Sequence, residues 1–152
     1  MINAQNTAIQ QVIDPVANAG ATTASEIDGA GYDYCTIYVI IGNLGSNASA
    51  FEVQESDTSG SGFVLIPGCD FDGGTDIDGS VAALPLAASG DNKTFVFEIN
   101  LNGRKRYLKP VITIGGSGSS VSCIAVLNRS SESPVTLAAR NLDSSVGNIV
   151  RV

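Results

Sequence analysis

The sequence predicts an all-β, single-domain protein, a β-sandwich or jelly-roll-like barrel with extended N- and C-terminal arms. Short runs of β-branched and aromatic residues recur between clusters of Gly, Ser, Asn and Asp, the punctuation of an all-β chain. No stretch of helix length repeats its apolar residues with a helical period. At 152 residues and 43% hydrophobic content, the chain can bury one core without disulfides or metal.

Residues 1–31 are polar and weakly patterned. Ile9, Val12, Ile13 and Val16 make either one short strand or part of an extended arm, and the whole segment reads as an arm that gains order by docking. The rigid unit spans 32–139. Its first strand, 34–41 (YCTIYVII), is apolar in both alternating sets, which predicts a central strand covered on two faces. A turn at 42–49 leads to 50–54 (AFEVQ), where Phe51 and Val53 alternate with Glu52 and Gln54 as in a half-exposed strand. A flexible connection, 55–62, precedes a short strand at 63–66, which Pro67 and Gly68 end. Residues 69–91 are irregular, with a small apolar patch at 81–88 interrupted by Pro85.

The cleanest strand is 94–101 (TFVFEINL). Phe95, Phe97, Ile99 and Leu101 point to the core, and Thr94, Val96, Glu98 and Asn100 point out. Asn102 and Gly103 follow directly, a strong hairpin signal. The return strand 104–114 contains Pro110, which predicts an edge position or a bulge. After a glycine–serine turn at 115–120, residues 121–127 (VSCIAVL) form another two-faced strand, and 135–139 a further short run beyond Pro134. Residues 140–152 carry scattered apolar residues and read as a second arm.

Composition bounds the function. Charged residues are 15% of the chain, against about 25% in typical domains. A surface this poor in charge suits contact with other subunits, where unpaired charge is costly. The net charge of −7 argues against nucleic acid or an anionic membrane as partner. No apolar run approaches the ~20 residues of a membrane span, and residues 1–10 show no secretory signal. Cys35, Cys69 and Cys123 have no metal-finger spacing and read as buried small hydrophobes in a reducing cytoplasm.

The chain contains no His, so Ser–His–Asp and Cys–His arrangements are impossible. The glycine–serine turn lacks the Lys and helix of a phosphate loop. The expectation is a non-enzymatic protein without cofactors. A carboxylate-based hydrolase is the remaining catalytic alternative, but its acids would have to face each other across a cleft. They cluster instead in one loop, where Asp70, Asp72, Asp76 and Asp78 are spaced by glycines. That loop is either a solvated turn or a calcium site. The basic cluster Arg104, Lys105, Arg106 and Lys109 holds half of the eight basic residues. Alternation would put Arg104 and Arg106 on one face and the two lysines on the other, either to dock an acidic protein surface or to guard an edge strand. Tyr32, Tyr34, Tyr38 and Tyr107 are candidates for a sugar-stacking face or simply β-formers. The expected protein-interface residues are Ile9, Val12 and Ile13 of the first arm, the four basic residues, and Leu142, Ile149 and Val150 of the second arm.

Residues 95–110 (FVFEINLNGRKRYLKP), together with 51–56 (FEVQES), 63–68 (FVLIPG) and 125–129 (AVLNR), resemble short structural proteins of tailed bacteriophages and prophages. The resemblance covers the central two-thirds of the chain and leaves the acidic loop unmatched. It implies a head decoration or cement protein, a homotrimer or dimer that clamps the major capsid protein at the joints between capsomers. Such a protein would sit on the capsid surface of the virion after assembly in the host cytoplasm. The alternative within the virion is a neck, tail or fibre module, with glycan binding as its function.

Overall fold

The computed structural model describes residues 7–17, 20–22, 24–129 and 146–151. Among these residues there are ten strands and no helix, hence none long and apolar enough to cross a membrane. The strands are β1 (Thr7–Ala17), β2 (Gly20–Thr22), β3 (Ile27–Asp28), β4 (Tyr34–Asn43), β5 (Ala50–Ser56), β6 (Val64–Asp70), β7 (Lys93–Asn100), β8 (Tyr107–Ile114), β9 (Ser120–Asn128) and β10 (Val146–Arg151). The first sheet runs β1-β9-β4-β7-β10 and is antiparallel except for β10, which lies parallel to β7. The second runs β2-β8-β5-β6, and β3 also pairs with β8. Among the described residues no ladder joins the two sheets. Where the sequence predicts a β-sandwich or jelly-roll-like barrel, the described residues form two open sheets packed face to face and not closed into a barrel.

Period-2 alternation builds the core. Cys35, Ile37, Val39 and Ile41 of β4 lie in register with Ile99, Phe97 and Phe95 of β7 and with Leu127, Ala125, Cys123 and Val121 of β9. All are buried. The second sheet answers with Phe51 and Val53 of β5, Ile66 of β6 and Leu108, Ile112 and Ile114 of β8. Phe51 meets Phe95 and Phe97 across the gap, with ring centroids 5.5 and 6.4 Å apart. β4 is central as expected, but it is covered on one face only, because Tyr38 and Ile40 are 38% and 40% exposed. β7 is instead buried on both faces, Val96 and Glu98 included.

The turn at Asn102 and Gly103 does not close a hairpin. Gly103 takes the left-handed φ of 79° that a tight turn needs, and Arg104 N–H donates to Leu101 O at 3.0 Å. The strands it joins lie in different sheets, so the turn carries the chain from one layer to the other. Local turn chemistry fixes the reversal, whereas strand partners are fixed by which faces are buried. Pro110 likewise lies within β8, which is paired on both sides. On one side β3 reaches 107–108 and β2 reaches 112–114. The residue with no N–H to give falls in the break between them.

The segment expected as the first arm is, over its described residues, part of the sandwich. β1 pairs with β9 from Thr7 opposite Asn128 to Ala17 opposite Ser120. Its ladder shifts register between Gln11 and Ile13, which turns two consecutive side chains inward and leaves Val12 and Ile13 only 3% and 2% exposed. Pro15 falls in a second shift, on an edge strand, where a missing N–H is tolerated. Glu26 ties this region to the loop after β5, accepting from Ser59 Oγ at 2.9 Å and Gly60 N–H at 2.7 Å. At the other end, β10 makes the far edge of the first sheet. Residues 130–145, with Leu142 and the run 135–139, lie outside the described residues, as do residues 1–6.

The three cysteines are free and buried in the core. Burial pushes the Cys35 and Cys123 thiols up to about 12, Cys35 with a smaller push from Cys123, and raises Cys69 as well. Thiolate is the reactive form. In native protein at pH 8, a thiol reagent such as DTNB is therefore expected to titrate none of the three, and all three after denaturation. Rapid reaction of any of them in the folded state would contradict the burial.

Candidate functional site

The acidic loop does not gather its carboxylates. The Asp76 carboxylate accepts from Ile77 N–H at 2.6 Å, and Asp78 accepts from Ser80 N–H at 2.8 Å. Hydrogen bonds from the Ser80 hydroxyl and then its backbone N–H hold the exposed Asp78 carboxyl below its ordinary range. Asp72 is exposed, and Asp70 Oδ1 is buried beside Gly73 and Gly74 with no hydrogen-bond partner among the described residues. Among the described residues no three acidic, Cys or His side chains come together as a metal ion would require. Asp70, Asp72, Asp76 and Asp78 act singly, two of them as turn-forming acceptors.

The basic cluster is largely spent inside the molecule. β8 starts at Tyr107, so Arg104, Lys105 and Arg106 lie in a turn and the alternation expected for them does not arise. Arg104 stands 3.6 Å from Glu55, whose Oε2 also accepts Lys105 N–H at 3.1 Å. Arg106 grips Asp28 with two bonds of 3.0 and 2.7 Å and lies over the Tyr107 ring. That grip, with Ala30 N–H, holds the Asp28 carboxyl below its ordinary value. A depressed carboxylate contributes stability above its unfolded pKa of about 3.9, and this is lost as pH falls through the lower folded value. The pair is solvent-exposed, so the contribution is small. Lys109 sits over the Phe63 ring at 5.5 Å. These residues brace the second sheet rather than form one free patch.

What remains is the outer face of the first sheet. Register places Tyr34, Thr36, Tyr38 and Ile40 of β4 on that face. Across from them lie Asn128, Val126, Ile124 and Ser122 of β9, and Ile9 of β1 stands opposite Val126. The middle of the face is apolar. Ile9 is 74% exposed, Tyr38 and Ile40 are exposed, and Ile124 and Val126 are half-buried. Of the expected interface residues, Ile9 is therefore surface, whereas Val12 and Ile13 belong to the core. Ile149 and Val150 lie on β10, opposite Val96 and Phe97. The alternation in β4 gave a signal for this face, since Tyr38 and Ile40 are the apolar residues of its outward set.

At the end where β4 begins and β7 ends, the same face meets a polar depression of about 570 Å³. Tyr32, Asp33 and Tyr34 line one side of it, and Asn100 and Asn102 the other. The sequence offers no spacing that joins them, because the β4–β7 register alone sets Tyr34 opposite Asn100.

No family model matches the chain, and no curated protein does. Among solved structures it is similar to the SPBc2 prophage-derived protein YomS. Identity is 11%, coverage is 80% of this chain and 92% of that one, and the TM-score is 0.49. The neighbour is a prophage-derived protein, and a likeness of this strength assigns neither a family nor a virion position.

Proposed function

We propose that this chain is a bacteriophage virion structural protein that decorates the outside of the head and stabilises contacts between capsomers as a symmetric oligomer. The observation that supports it best is the exposed apolar middle of the outer sheet face, Ile9, Tyr38 and Ile40 beside Ile124 and Val126. Such a face suits a flat docking contact with another protein. It supplies area rather than chemistry, and a weak contact repeated over a symmetric shell gains strength by avidity. The resemblance of 51–56, 63–68, 95–110 and 125–129 to tailed-phage structural proteins points the same way and makes the major capsid protein the partner.

The test is cosedimentation of the purified protein with expanded, undecorated heads of its phage, with mass photometry of the free protein for its oligomeric state. Saturable binding at a fixed copy number per head, with a raised head melting temperature, is expected. Replacing Tyr38 and Ile40 together by Thr, which keeps a strand-forming residue at both positions of this central strand, should weaken binding at least about tenfold, a loss of about 1.4 kcal/mol, with the melting of the free protein measured alongside to separate lost binding from lost stability. Absence of saturable binding, or binding indifferent to the double substitution, would sink the reading.

A further inference from the structure

We infer that the depression bounded by Tyr32, Asp33, Tyr34, Asn100 and Asn102 is a binding site for a neutral saccharide. The inference goes beyond head decoration and does not depend on it. A pyranose ring has an apolar face of C–H groups and a rim of hydroxyls that both donate and accept. Recognition therefore needs an aromatic surface beside planar polar groups, and this site offers both. Tyr34 supplies a half-buried ring that is apolar in body and polar at the tip, while Tyr32, packed against the core and covered by the Arg129 guanidinium, serves as wall. Asn100, Asn102 and Asp33 supply amide donors, amide acceptors and a carboxylate that can take two vicinal hydroxyls.

The backbone of the site is held by the sheet register and by hydrogen bonds among the lining residues and with Asn128. Tyr34 is fixed on β4 opposite Asn100 of β7 and Asn128 of β9. Asn102 N–H donates to Asn100 Oδ1 at 3.0 Å, which orients that amide and leaves its Nδ2 hydrogens for a ligand. Asp33 is pinned through its backbone, its N–H donating to Asn128 O at 3.0 Å and its carbonyl accepting Leu101 N–H at 2.8 Å. Its carboxylate is exposed and makes no hydrogen bond or ion pair among the described residues. The Arg129 guanidinium lies over the Tyr32 ring at 5.2 Å, while its Nε donates to Gly31 O at 2.5 Å. Groups fixed before binding lose little freedom on binding.

Charge selects among ligands. Asp33 in the depression and the net charge of −7 disfavour anionic sugars and nucleotides, an effect that the Arg129 guanidinium over the Tyr32 ring offsets in part. An open, shallow site of this kind binds one sugar weakly, with Kd on the order of 1 mM, and becomes useful when an oligomer presents several copies.

The test is an amide-resolved NMR titration of the full chain with glucose, galactose, mannose and N-acetylglucosamine in turn. At least one sugar should give saturable shifts confined to the amides of residues 31–34 and 100–103. Asp33→Ala and Tyr34→Ala should each raise Kd about tenfold or more, a loss of about 1.4 kcal/mol. Asp33 is exposed, so its variant should keep the remaining amide spectrum and separate lost binding from lost folding. No saturable shift with any of the four sugars, shifts mapping elsewhere, or shifts that survive Asp33→Ala would overturn the assignment. The readout is the free protein, so a negative result with heads leaves this result standing, and the reverse.

Discussion

Phe97→Ala is expected to lower the free energy of unfolding by about 3–5 kcal/mol, the cost of emptying a fully buried aromatic site. Phe97 has no exposed surface. Its ring lies edge-on to Phe71 at 4.9 Å and roughly parallel to Phe51 at 6.4 Å. Phe51, Phe71 and Phe95 close the set, with pairwise centroids of 5.5–5.6 Å. Four of the chain's five phenylalanines therefore form one cluster, joining β5 and β7 across the two sheets with Phe71 from the end of β6. Each such pair adds about 0.5–1.5 kcal/mol beyond area burial. The three cysteines are free, so no cross-link makes up the loss. A domain stable by about 5–15 kcal/mol would lose about a fifth or more of its margin. Urea denaturation followed by tyrosine fluorescence measures this directly, since the chain has four Tyr and no Trp. Phe97→Leu, which keeps most of the volume, should cost clearly less than Phe97→Ala. A loss below about 1 kcal/mol for Phe97→Ala would show that the cluster does not hold the sheets together.

The same cluster shows what the sequence could reveal. Phe95, Phe97 and Ile99 alternate cleanly, so β7 and its inward face were legible from period 2 alone, as were those of β5, whereas β9, expected to be covered on two faces, buries only its alternate residues Val121, Cys123, Ala125 and Leu127. β1 was not. Gln10, Gln11, Asp14 and Pro15 interrupt its apolar residues, and the register shift at Val12 and Ile13 breaks the alternation that marks a strand. Sequence reasoning therefore took two core residues for attachment points. The turn at Asn102 and Gly103 was legible as a turn, but its consequence was not, because pairing depends on partners far away in the chain. The basic cluster misled for a related reason. Asp28 and Glu55, which engage Arg106 and Arg104, stand next to them only once β3 and β5 flank β8. The tyrosines were visible as candidates, yet only the β4–β7 register separates Tyr34, beside Asn100 in the depression, from Tyr38 on the apolar face.

Gly116→Ala is expected to cost about 2–5 kcal/mol, from two separate causes. Gly116 has φ +83°, where an L-residue pays about 1–2 kcal/mol. A Cβ there would also stand 2.7 Å from Gly45 Cα and from Ser46 N, which are backbone atoms that cannot swing aside. Overpacking of that kind adds about 1–3 kcal/mol. The approach is reciprocal, since a Cβ on Gly45 would lie 2.6 Å from Ser117 O. The loop after β4 and the loop after β8 thus touch backbone to backbone. Buried Ser119 ties them, its Oγ accepting Gly45 N–H at 2.9 Å, and Asn43 Nδ2 donates to Gly118 O at 3.1 Å. Gly60 is the control: it has nearly the same φ, +82°, but nothing within 4 Å of an added Cβ. Gly60→Ala should therefore cost only the conformational part, about 1–2 kcal/mol. Equal losses for the two variants in urea denaturation would show that the loops are not in firm contact. The latch lies at the far end of β4 from Tyr34, about 30 Å away for a strand rising ~3.3 Å per residue. A Gly116→Ala protein that still folds should accordingly keep its saccharide shifts, so that stability and binding fail independently at opposite ends of one sheet.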